Sequence, residues 1–187
     1  MHLLASVGLE GSLNKRNILL DNDFLSVISA DVEAFDDLRK LTEGKSPLII
    51  DPFTKFEFLQ SVHLASRRII LEKFLEHDLF LPGVVHPSVF MPIFENALKI
   101  SWVYAHQKCV GASPIDLLIA SRAIIQGCLV ITGNRKDFPG FMFRVLGILS
   151  HEEQDKKNGH YALRSYPVVE FDKTGYESAV EDWKRGG

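Results

Sequence analysis

The sequence is poor in the residues that mark several protein classes. Only two cysteines, Cys109 and Cys128, occur in 187 residues. They are too few for a disulfide framework and lack the spacing of a zinc site, so a reducing cytoplasm is the expected setting. The seven histidines form no H-x-x-x-H pair, and His63, His77 and His86 are scattered. No apolar run approaches the ~18 residues a membrane span needs. Residues 1–16 lack the basic and apolar regions of a signal peptide. Positive charge is not in excess either. Lys and Arg number 21 against 24 Asp and Glu, a net charge of −3, so any nucleic-acid contact must rest on a local patch. Neither a G-x-x-x-x-G-K-[ST] nor a G-x-G-x-x-G phosphate loop occurs, and there is no G-x-S-x-G nucleophile elbow.

What is present suits one globular domain with a sizeable core, at 46% hydrophobic and 24% charged. Residues 1–16 precede the first clear element. Asn17 to Asp21 reads as a short strand buried on both faces. Helix follows from Phe24, continuing over Asp31 to Leu41 at helical spacing. Leu48 to Ile50 is a second strand. A helix is expected near Thr54, because Thr54 and Glu57 form a T-x-x-E capping-box pattern. Another covers about 66–77, with Ile69, Ile70, Phe74 and Leu75 inward. Residues 79–85 hold a brief strand, and a helix spans about 89–106. Ser113, Pro114 and Asp116 form a strong helix start. Cys128 to Thr132 is a third buried strand. Strands are expected over 143–149 and 161–171, a charged loop over 151–159, and a terminal helix over 176–184. This alternation implies an α/β fold with a mostly parallel sheet and helices on both faces.

The acids carry the chemistry. Asp116 and Glu57 each suit a helix cap, and Asp21 suits a turn after a strand. Taken together, Asp21 ends one strand, Glu57 opens the helix after a second, and Asp116 opens the helix before a third. Thr132, Asn134 and Asp137 follow that third strand. If the strands are parallel, these ends meet at one edge of the sheet. Carboxylates at close quarters repel unless a cation neutralises them, and oxygen ligands without thiolate suit Mg²⁺ or Mn²⁺. Arg135 and Lys136 lie in the same loop and are candidates for phosphate contact.

The segments LLDNDFLS, FEFLQ, DLLIASRAIIQG and LVITGNRKDFP resemble the successive motifs of the PIN-domain family, which includes VapC-like toxin ribonucleases. The resemblance covers about residues 17–150. It implies a three-layer α/β fold with a mostly parallel central sheet. It further implies Mg²⁺- or Mn²⁺-dependent RNA hydrolysis by water, leaving a 5′-phosphate. By position, Asp21, Glu57 and Asp116 match the family's metal-binding acids. Asn134 or Asp137 fills a fourth place, and Thr132 helps hold water or metal. A type II toxin would have an antitoxin partner and form a homodimer. The chain departs from the pattern in having Asn22-Asp23 after Asp21. It also departs in Ser121-Arg122, where small apolar residues are usual and where Arg122 is expected to face outward. Residues 1–16 and 151–187 are then extensions, the second packed on the same domain.

Two other readings stand beside this one. The strand–D-x-D run through Asp21 and Asp23 fits a haloacid-dehalogenase-like phosphatase, with Asp21 as nucleophile and Asp23 as acid. A PIN-like module that binds RNA or protein without cleaving is the other.

Overall fold

The computed structural model describes residues 2–60, 62–109, 111–154 and 161–186. Its elements run β1 (Leu3–Ala5), α1 (Leu9–Leu13), β2 (Ile18–Leu20), α2 (Asn22–Ala30), α3 (Val32–Thr42), β3 (Leu48–Ile50), α4 (Pro52–Gln60), α5 (Ala65–Leu75), β4 (Phe80–Pro82), α6 (Pro87–His106), α7 (Pro114–Gln126), β5 (Leu129–Ile131), β6 (Phe143–Gln154), β7 (Tyr161–Phe171) and α8 (Lys173–Gly186).

Strand alternation divides the interior into two cores. Ile18, Leu20, Leu48, Ile50, Leu129 and Ile131 enter one core with residues of α1 to α5. Leu19, Ile49 and Val130 enter the other with α6, α7 and α8. The result is a three-layer α/β domain. Each of these strand residues is almost wholly buried. At about 1.5–3 kcal/mol per large side chain, three such residues in β2 offset the cost of the acid that follows them.

The seven strands run in the order β1-β6-β7-β5-β2-β3-β4. The run β5-β2-β3-β4 is parallel. The chain leaves β2 through α2 and α3 on one face. It later arrives at β5 through α6 and α7 on the other. The connections thus reverse between β2 and β5, and a crevice forms outside the carboxyl ends of such a strand pair. Asp21 and Thr132 stand at those ends.

The sheet is mixed rather than mostly parallel. β5–β7, β6–β7 and β1–β6 are antiparallel pairs. Only residues 155–160 separate β6 from β7, too few for a parallel crossover of about a dozen residues. Those residues, part of the expected charged loop, lie outside the described residues. His151 to Gln154 belong to β6 instead. Residues 3–5 become an edge strand on β6, and Leu9 and Leu13 of α1 are buried.

Local chemistry explains the other departures. Helix α2 begins at Asn22 because Asp21 caps it. Helix α4 begins at Pro52, where proline suits the first position, and Asp51 Oδ1 accepts from Phe53 N at 2.7 Å. The expected Thr54–Glu57 capping box therefore does not form. On α5 the inward stripe is Leu71 and Leu75, one turn apart. Ile69 and Ile70, expected inward, are exposed at 55% and 66%. Helix α7 matches the expectation: Ser113 and Asp116 make a reciprocal capping box, and Gly127 closes the helix at φ 65°.

Candidate functional site

Asp21 extends the strand pairing by one residue, donating its N–H to Ile131 O at 3.0 Å. Its side chain is 4% exposed. Oδ1 accepts from Asn22 N at 2.7 Å, and Oδ2 accepts from Thr132 Oγ1 at 2.6 Å. Thr132 is fully buried, and its hydroxyl accepts in turn from Asn134 N at 2.9 Å. A directed chain of hydrogen bonds thus runs from the loop after β5 into the Asp21 carboxylate. Gly133 makes this closure possible. A Cβ there would lie 2.9 Å from Asp23 Cβ and 3.2 Å from its Oδ2, so only glycine lets the loop sit against α2.

Asp116 is a cap, as its position in the sequence indicates: Oδ2 accepts from Ser113 N at 2.8 Å. Glu57 is not a cap. Its Oε2 is buried without a hydrogen-bond partner, and Thr54 Oγ1, one turn earlier, is in the same condition. Asp137 is 4% exposed, and Tyr104 Oη on α6 donates to its main-chain oxygen at 2.7 Å.

These acids act on one another. Burial, reinforced by Asp116 and Asp23, raises the Asp21 carboxyl to about 7 even though Thr132 hydrogen-bonds its charged form. Burial, with Asp116, Asp23 and Glu57 adding, raises Asp137 to about 6. Glu57 is shifted upward by burial, then by Asp116 and Asp23. The fold therefore brings Asp21, Glu57, Asp116 and Asp137 into one electrostatic neighbourhood, with the exposed Asp23 beside them.

The donor set fits a hard divalent cation. The candidate ligands are carboxylate oxygens, one buried oxygen has no partner, and burial, with the neighbouring acids adding to it, raises two of the carboxyls. Among the described residues no three His, Cys, Asp or Glu side chains are arranged to hold an ion by themselves.

The two basic candidates differ. Lys136 is exposed. Arg135 is half-buried, with Nη2 donating to Phe143 O at 2.7 Å and Nη1 buried without a partner. Asn134 is half-buried, and its backbone N–H holds Thr132.

One constellation escaped the sequence reading. Arg122, expected to face outward, is 2% exposed and paired with Asp51, which is fully buried. Its Nη1 also donates to Gly83 O at 3.0 Å, and its Nε to Gln126 Oε1 at 2.7 Å. Gly83 has no room for a side chain, since a Cβ would meet Ile50 O at 2.3 Å. Partners 39 and 71 residues apart leave no mark in the local pattern. The available sign was Asp51-Pro52 after a buried strand, which reads as a helix cap.

No protein-family model and no curated protein match the chain. Among solved structures, it is similar to a chain in the crystal structure of VapBC2 from Rickettsia felis bound to a DNA fragment from their promoter. The two are 19% identical, with 65% of this chain and 90% of that chain covered and a TM-score of 0.49. At that level the likeness assigns neither family nor activity. No helix among the described residues is long and apolar enough to cross a membrane.

Proposed function

We propose that the chain is a Mg²⁺- or Mn²⁺-dependent endoribonuclease of PIN-like type, hydrolysing RNA phosphodiester bonds as the toxin of a type II toxin–antitoxin pair. The observation that carries the reading is the crowding of Asp21, Glu57, Asp116 and Asp137 where the strand connections reverse; among the described residues the exposed Lys136, which acts on Asp137, is the cation that offsets them, and none offsets Asp21 or Glu57. The motif resemblance supplies the RNA substrate, the antitoxin partner and the homodimer. Residues 17–150 form the nuclease core in this reading, and 1–16 and 151–187 are extensions of the same domain.

Asp21, Glu57, Asp116 and Asp137 would hold the metal. Once bound, it would acidify a water and stabilise the leaving oxygen. Thr132 fixes the Asp21 carboxylate in one rotamer, and Asn134 fixes Thr132. Lys136 is free to meet substrate phosphate. The phosphatase reading is weaker. Asp21 accepts a hydrogen bond at each oxygen, which makes it a poorer nucleophile.

Asp116→Asn is expected to lower Mn²⁺-dependent RNA cleavage by about 100-fold or more while far-UV circular dichroism is unchanged. Undiminished cleavage by a clean preparation of that variant would remove the nuclease assignment.

A further inference from the structure

A groove of about 330 Å³ lies between α2 and the α4–α5 corner, with Asn22 and Phe58, the residues that follow Asp21 and Glu57, among its lining. One wall is a polar stripe on α2. Asn22, Ser26 and Ser29, spaced by four and three residues, share a helix face, while Phe24, Leu25 and Ile28 are buried in the core. The stripe begins at the residue that follows Asp21 and extends about 10 Å. The other wall carries His63 and Arg67 over an apolar floor that includes Phe58. Arg67 is exposed and has no ion pair among the described residues. Its neighbour Arg68 is held by Glu72 at 3.0 Å.

We infer that this groove is a subsite for one single-stranded RNA nucleotide flanking the scissile phosphate, an inference that rests on the nuclease reading. The volume suits one nucleotide and not a duplex. Hydroxyls and an amide on one wall are the groups that read a splayed base edge, and the apolar floor can take its face. Arg67 opposite supplies the charge for a backbone phosphate. It adds to Lys136 in the loop after β5, where Arg135 is turned to the Phe143 carbonyl. A groove that starts at Asn22 places the bound nucleotide in register with Asp21, so affinity along the strand becomes position of the bond to be cut.

The test uses the full chain and a fluorescein-labelled ten-nucleotide single-stranded RNA, with Ca²⁺ in place of Mg²⁺, followed by anisotropy. Arg67→Glu reverses the charge at an exposed site, and Ser26→Phe fills the groove from another exposed site. Each is expected to weaken RNA binding about tenfold or more. For Arg67→Glu the dependence of log affinity on log salt should also fall by about one unit. Mn²⁺ binding, measured by calorimetry on the same samples, is expected to match wild type. RNA affinity within twofold of wild type in both variants would overturn the subsite, and so would failure of a wild type that binds Mn²⁺ to bind RNA. Loss of an antitoxin-like protein partner with RNA affinity retained would assign the groove to protein and equally overturn it. Wild type that binds neither Mn²⁺ nor RNA would instead remove the nuclease reading itself, whereas metal-dependent cleavage indifferent to both groove variants removes the subsite alone.

Discussion

Two strands of the parallel sheet end in a buried acid, and the two acids have opposite surroundings. Asp51 after β3 is paired with the buried guanidinium of Arg122, which also reaches Gly83 O. Asp21 after β2 has a threonine hydroxyl and a backbone N–H, and the charges around it are other acids. Burial pushes both carboxyls upward, but at Asp51 the nearby cation pulls back and at Asp21 the neighbours push further. The sequence supplies the counter-charge for one strand end and withholds it from the other. A balanced pair of this kind clamps β3 and the β4 end to α7, the helix that carries Asp116. Under the proposed function, the unbalanced one is a place for a bound cation.

The same isosteric substitution should therefore act in opposite directions at the two sites. Asp51→Asn leaves Arg122 buried and uncompensated, and should destabilise the protein by about 3–5 kcal/mol in urea unfolding. Equal stability would mean that the pair is not the clamp described. The next effect is that of pH on the metal-free protein. Asp21 is raised from 3.8 to about 7 and Asp137 from 3.8 to about 6, so the folded state binds more protons than the unfolded one. Stability from these groups is fully present below about pH 4 and is lost as pH rises through 6 to 7. Asp21 alone sets a scale of about 4 kcal/mol at most. Unfolding midpoints that rise over this window would contradict the electrostatic account. Saturating Mg²⁺ should restore stability most on the alkaline side. Smaller still, Asp21→Asn should stabilise the metal-free protein by about 1–3 kcal/mol at pH 8, because a charge is removed where nothing balances it. Destabilisation there would place Asp21 in the same structural class as Asp51.

Much of the first site could be read from sequence, because its signals are local. Buried runs ending in acids, and Ser113-Pro114 with Asp116 three residues after the serine, fixed where α7 and the strand ends would lie. For Glu57 the local pattern misled on the cap. The T-x-x-E pattern pointed to a cap, and the structure leaves Thr54 Oγ1 and Glu57 Oε2 buried without a hydrogen-bond partner. Non-local features were illegible. Nothing near Arg122 signals Asp51, and nothing in the strand patterns of β6 and β7 shows that β7 inserts between β5 and β6. On α5 the inward placement of Phe74 and Leu75 was legible, but Ile69 and Ile70 are exposed and Leu71, one turn before Leu75, is the other buried residue.

The central claim is that the imbalance at Asp21 exists for a cation. It is tested most directly by calorimetric titration of Mn²⁺ into wild type and Asp21→Asn at neutral pH. The account predicts binding in wild type, and its loss in a variant that is folded and at least as stable. No binding by wild type, or equal binding by both, would contradict it.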